Sequence, residues 1–204
     1  LQLVTQSSTY HATLAVKLME TDAGDRYIVV CEARYNRQVS VIVVKVSPSF
    51  VLSQTGSTGD LEIDYVGACA YIVNDRVYLF RNSGTYISAG FQVVSISDSG
   101  VPTPLSLQSI SDTSLPSQDF SLFVTDDNYL FLFGYRSGSY VCCVYSYDLI
   151  ANQFTKLSSI TVPRTPSYPL PCDGGCYMYG SDNKKCVRMR VIQYNGDLGG
   201  AVVY

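Results

Sequence analysis

At 204 residues, 47% of them hydrophobic, the chain is long enough to bury a real core and too apolar to be a disordered polymer. Its formal charge of −3, with Lys and Arg scattered, removes the basic footprint that nucleic-acid binding requires, and no apolar run reaches the ~18 residues needed to span a bilayer as a helix. The sequence therefore reads as one domain that neither inserts in a membrane nor binds nucleic acid.

In chain order, Leu1 to Thr5 is a short alternating segment without a neighbour to pair with, followed by strand-like runs Ala12 to Leu18, Ile28 to Cys31 and Val43 to Ser47, and a shorter run Phe50 to Leu52. Asp22 to Asp25 and Asn36 to Gln38 are turn-forming segments between them. The same order then repeats. Val66 to Val73, Val77 to Phe80, Val93 to Ser97 and Leu105 to Leu107 form a second set, with Asn74-Asp75 as a turn and Asn82 to Gly90 as a long connection. A serine- and proline-rich segment, Gly100 to Asp119, reads as a polar surface crossing. Phe120 to Val124, Leu130 to Phe133, Val144 to Asp148 and Phe154 to Leu157 make the third set; Tyr168 to Pro171, Cys176 to Tyr179, Arg190 to Tyr194 and Gly200 to Tyr204 make the fourth.

The second run of each set begins at residues 28, 77, 130 and 176, and the third at 43, 93, 144 and 190, so two landmarks share a period of about 50 residues. Four strands at that period are the size of a propeller blade. The fold expected is all-β, a β-propeller of about four four-stranded antiparallel blades, with units at 6–56, 57–110, 111–163 and 164–204 and residues 1–5 as a ring-closing strand. Leu1 stands where Met would open a chain, which reads as a removed leader or a start inside a longer protein, and a segment of a larger propeller is one alternative.

Tyr147-Asp148, Asn152, Phe154, Leu157 and Pro163-Arg164 resemble the kelch repeat, with its Tyr-Asp, Asn, aromatic, Leu and Pro-x-x-Arg. The double Gly of that pattern is reduced to Gly134-Tyr135, Arg81-Asn82 or Gly180-Ser181, and Trp is absent. The resemblance implies kelch-like blades whose connecting loops carry any binding surface.

Chemistry-bearing patterns are sparse. Seven cysteines, an odd number, leave at least one thiol outside any internal disulfide set. Cys172-Asp-Gly-Gly-Cys176 flanks a tight turn, where a disulfide and two reduced cysteines are equal alternatives. Cys31 and Cys69 read as small buried hydrophobes, and adjacent Cys142 and Cys143 must face opposite sides of a strand, placing one in the core. Histidine occurs once, at His11, which leaves no nucleophile-histidine pair within a motif and no complete zinc set. Aspartates cluster at strand ends, where Asp forms turns. No catalytic residue, metal site or cofactor follows.

The leading functional reading is a non-catalytic binding or scaffold module presenting propeller loops to a protein partner, with Tyr86, Tyr135, Arg136 and Tyr140 as the binding residues. Its competitor is a carbohydrate-binding or carbohydrate-processing propeller using Asp and Tyr around the axis. Oligomerisation or a larger assembly fits an incomplete ring. Leu1 and the Cys172/Cys176 pair lean to secretion, with the cytoplasm as the alternative.

Overall fold

A computed structural model describes residues 11–34, 38–59, 61–62, 68–81, 89–162, 170–172, 175–179, 186–194 and 197–203. Among these the chain is all-β and antiparallel, folded as four sheets in sequence order. The first sheet holds β1 (His11–Glu20), β2 (Arg26–Arg34), β3 (Gln38–Val46) and β4 (Leu52–Ser57), with β5 (Leu61–Glu62) paired to β3. The second holds β6 (Ala68–Val73), β7 (Arg76–Arg81) and β8 (Gly90–Ile96), with β9 (Pro102–Pro104) and β10 (Gln108–Ser109) both pairing β8. In the third are β11 (Gln118–Val124), β12 (Tyr129–Arg136), β13 (Ser139–Asp148) and β14 (Gln153–Val162), and in the fourth β15 (Leu170–Cys172), β16 (Gly175–Tyr179), β17 (Cys186–Tyr194) and β18 (Asp197–Val203).

Burial explains why the middle strands read as unbroken apolar runs. Leu130 and Leu132 face the core between the second and third sheets, while Phe131 and Phe133 face the core between the third and fourth, and all four are fully buried. A strand covered on both faces has no polar side to alternate with. Both adjacent cysteines are core for the same reason: Cys142 joins the second of these clusters and Cys143 the first, so the expectation of a single core thiol is corrected. A further core, with Tyr27, Val29 and Val41 of the first sheet against Ile72, Val77 and Val94 of the second, completes the stack. First strands lie side by side along it, β1 against β6 and β6 against β11.

Four five-residue turns share one construction. Thr21 to Asp25, Ser47 to Val51, Ser97 to Val101 and Thr125 to Tyr129 each close with the first residue's N–H donating to the fifth carbonyl, while the first hydroxyl accepts the fifth N–H. The fourth residue has positive φ in every case: Gly24, Phe50, Gly100 and Asn128. A hydroxyl at the first position and a left-handed fourth residue are thus the local code for these strand reversals.

Two of the turns also key neighbouring sheets together. Tyr27 donates its hydroxyl to the Asp98 carbonyl at 2.9 Å, and Tyr78, 51 residues on, donates to Asn128 Oδ1 at 2.8 Å. The residues from Tyr147 to Phe154 have equally concrete work. Asp148 Oδ1 accepts the N–H groups of Ile150 and Ala151, Tyr147 donates to Asn152 Oδ1 at 2.7 Å with Asn152 at φ 50°, and Phe154 stacks on Tyr147 at 4.5 Å.

Three sequence expectations need correction. Leu105 to Leu107 is not a strand: the outer edge of the second sheet is split into β9 and β10 on either side of it, the Leu105 N–H donating to the Val93 carbonyl at 2.8 Å before the ladder breaks. The Gly100 to Asp119 crossing is not merely polar surface, since Leu115 is fully buried and Pro116 sits where a side chain on Gly134 would go, 2.5 Å from a Cβ built there. The first unit also runs past residue 56, through Ser57 in β4 and Leu61–Glu62 in β5. The ring-closing strand at residues 1–5 lies outside the described residues, and among those described no substantial packing joins the first and fourth sheets.

Candidate functional site

A polar cleft of about 460 Å³ opens where the first two sheets meet, at the end bearing the Thr21 and Ser97 turns. β1 delivers Lys17 and Glu20, the following turn Asp22, the β6–β7 turn Asn74 and Asp75, and the β8–β9 turn Asp98. Each acidic side chain is at or next to a strand end because Asp and Asn suit the backbone of the turn, as the positive φ of Asn74 illustrates. The sheet stack brings these separate turns together. Four carboxylates against one ammonium line the cleft, and Asp75 is additionally paired with Arg76 at 2.5 Å. Such a lining offers many acceptors to hydroxyl donors and opposes anions.

Lys17 also borders a second, more apolar cleft of about 640 Å³ along the three first strands, walled by Leu14, Val16, Ala70, Ile72, Phe120 and Leu122. Together the two clefts form an apolar stretch beside an acidic one, with a single lysine on the lining of both.

One compact polar network lies elsewhere, on the third sheet. Asp112 Oδ1 accepts from the N–H and hydroxyl of Ser114 at 2.8 Å each, and its Oδ2 accepts from Lys156 Nζ at 2.6 Å and the Tyr145 hydroxyl at 3.3 Å. Lys156 also donates to Ser114 Oγ, and Cys143 Sγ donates to the Ser114 carbonyl at 3.4 Å. Burial acts to raise the Asp112 carboxyl, but the bonds from Lys156 and Ser114 outweigh it and hold the group below the usual carboxylate range. Lys156 is held between Asp112 and Ser114, and the network clamps the 110–117 crossing to β13 and β14.

The residues expected to bind are placed differently. Tyr135 and Tyr140 are on β12 and β13, directly opposed, with rings 5.0 Å apart and edge to face; Arg136 and Ser139 make the next rung. This hairpin is at the opposite end of its sheet from the Thr125 turn, so it is remote from the acidic cleft. Tyr86 lies outside the described residues. Cys176 is buried and opposes Pro171, whereas Cys172 opposes Gly175, which sets the two cysteines on neighbouring rungs rather than across from each other. The side chain of Cys172 lies outside the described residues. Among the described residues no three His, Cys, Asp or Glu side chains gather as a metal would require.

Sequence reasoning missed the cleft because each of its acids reads locally as a turn former. The signal available was the recurrence of the turns themselves at repeat spacing.

No known family profile matches the chain, and no curated protein matches it in sequence. Solved structures do share its shape in part. The periplasmic gluconolactonase of Pseudomonas aeruginosa is 12% identical, with a TM-score of 0.41 over 91% of this chain and 68% of that one. A candidate 6-phosphogluconolactonase of Bacteroides fragilis is 10% identical, with a TM-score of 0.41 over 90% of this chain and 78% of that one. One is named a gluconolactonase, the other a 6-phosphogluconolactonase, and neither a scaffold; the reading of a non-catalytic module presenting loops to a protein partner is not carried further.

Proposed function

We propose that this chain is a carbohydrate-directed protein that binds or processes a neutral sugar in the acidic cleft between its first two sheets. The sheets act as kelch-like blades of a propeller. The observation that carries the reading is the lining of that cleft: Glu20, Asp22, Asp75 and Asp98 with Asn74 and Lys17, around about 460 Å³. The volume falls within the ordinary range for small-molecule sites. Carboxylates and amides are the acceptors that a ring of hydroxyl donors needs, and paired carboxylates are also the groups that sugar hydrolysis employs as acid, base or nucleophile. An excess of carboxylate over ammonium favours a neutral ring over an aldonate or a sugar phosphate.

Saturation-transfer NMR with a panel of neutral monosaccharides, their lactones, aldonates and 6-phosphates tests this. Signal transfer to neutral rings or lactones, lost in Asp98→Ala, is expected. Transfer confined to the anionic members, or none at all, would overturn it.

A further inference from the structure

We infer that the acidic and apolar clefts are two halves of one site, whose ligand is a neutral glycoside carrying an apolar aglycone; the inference rests on the reading of the acidic cleft as a sugar site. The two clefts run into one another along the same strands. On β1, Leu14 to Lys17 line the apolar cleft and Lys17 to Glu20 the acidic one; on β6, Cys69 to Ile72 line the apolar cleft, and Asn74 and Asp75 of the turn that follows line the acidic one. Both strands therefore lead from apolar walls to carboxylates. Leu14 to Lys17 cover about 10 Å of strand, and Lys17, on the lining of both clefts, marks the join.

The chemistry of the apolar half selects what the ring must carry. β6 lies between β1 and β11, so Leu14 and Val16 come from one side, Phe120 and Leu122 from the other, and Ala70 and Ile72 from between them. Lys17 is the one charged residue on the described lining, since burial pushes the Cys69 thiol up and keeps it neutral. Side-chain hydroxyls come from Tyr71 and Ser121 alone. A second sugar placed there would leave most of its hydroxyls without partners, whereas an alkyl chain or an aromatic ring gives up only its contact with water. An apolar aglycone is thus favoured over a longer oligosaccharide. At about 640 Å³ against about 460 Å³, the apolar half has room for an aglycone at least as large as the ring it is joined to.

Isothermal titration of the 204-residue chain with methyl and octyl glycosides of glucose, galactose and mannose, and with octyl tetraethylene glycol as a sugar-free tail, tests it, each ligand kept below its micelle concentration. The expected result is an octyl glycoside bound at least tenfold more tightly than both its methyl counterpart and the sugar-free tail. In Phe120→Ala the advantage of octyl over methyl falls at least threefold while the methyl glycoside keeps its affinity, and Asp98→Ala weakens both glycosides alike. Circular dichroism shows whether Phe120→Ala keeps the fold, since its ring also lies 5.2 Å from that of Phe80. Should it unfold, Val16→Gln, at a position more than half exposed, carries the same test. Equal affinity for octyl and methyl glycosides, both lost in Asp98→Ala, overturns the apolar half and leaves the sugar reading standing. An octyl advantage indifferent to the variants at positions 16 and 120, or an octyl chain bound as tightly without the sugar as with it, overturns the inference too. Binding of no glycoside at all overturns the sugar reading with it.

Discussion

Replacing Gly100 by Ala isolates the way neighbouring sheets are keyed together. Gly100 is the left-handed fourth residue of the Ser97 turn, at φ 75°, and a Cβ built on it would lie 2.4 Å from Cε1 and 2.8 Å from Cδ1 of Tyr27, and 2.7 Å from Thr55 Oγ1. Tyr27 is 1% exposed and holds the Asp98 carbonyl through its hydroxyl, so its ring cannot swing clear without breaking that bond. Thr55 likewise donates to the Gly100 carbonyl at 2.8 Å. Three costs add. Left-handed backbone costs a non-glycine residue about 1 kcal/mol, overpacking a filled site about 1 to 3, and a lost hydrogen bond about 1. The sum, about 3 to 5 kcal/mol, is a large part of the usual stability of a domain.

Gly24 supplies the control, because it occupies the same position of the Thr21 turn at φ 81° with nothing within 4 Å of its would-be Cβ. Gly24→Ala is expected to cost only the backbone part, about 1 kcal/mol. Urea unfolding of both variants beside the parent chain, followed by far-ultraviolet circular dichroism, measures the difference. Equal losses at the two positions would refute the keyed interface.

Phe131→Ala removes a fully buried ring flanked by Phe123 and Phe133 and is expected to cost about 3 to 5 kcal/mol by urea unfolding, a loss below about 1 contradicting a strand packed on both faces. The clamp at Asp112 makes an acid-sensitive contribution: the folded carboxyl titrates below its unfolded value, so its stabilisation is present above the unfolded value near 3.8 and is lost as pH falls through the folded one. Asp112→Asn should accordingly be less stable than the parent at pH 7 and lose less stability on acidification below about pH 4, which thermal melts across that range would show. Burial raises the thiol pKa values of Cys31, Cys69, Cys142 and Cys143. These four should resist iodoacetamide in the folded chain at pH 8 and react on denaturation, as read by peptide mass spectrometry; rapid labelling of any of them in the folded state would contradict its place in the core.

The parts of the fold that could be read from residues are those with strong local cause. β12 announces itself as Tyr129 to Phe133 because burial on both faces demands apolar side chains throughout, and the Tyr147 to Phe154 segment because Asp148 and Asn152 each perform a turn function. The split edge of the second sheet was hidden by the apolar look of Leu105 to Leu107, where the Leu105 N–H still donates to the Val93 carbonyl but the strand does not resume until Gln108. Leu115 was hidden by the serines around it. Least legible was the cleft: Glu20, Asp75 and Asp98 are far apart in the chain and individually ordinary, and only the stacking of the sheets turns three strand ends into one wall. Tyr135 and Tyr140 misled in the opposite sense, since residues that resemble a loop surface are paired strand residues.

The claim at the centre of the account is that the acidic cleft recognises a neutral sugar, and calorimetric titration of the strongest ligand from a glycan array tests it most directly. The parent chain, Asp75→Asn with Asp98→Asn, and Asp112→Asn would be titrated side by side. The paired change at Asp75 and Asp98 is expected to weaken binding at least tenfold, by the loss of about 1.4 kcal/mol or more, while Asp112→Asn, at the remote clamp, leaves affinity unchanged. Affinity untouched by the paired change, or lost equally in all variants, would contradict it.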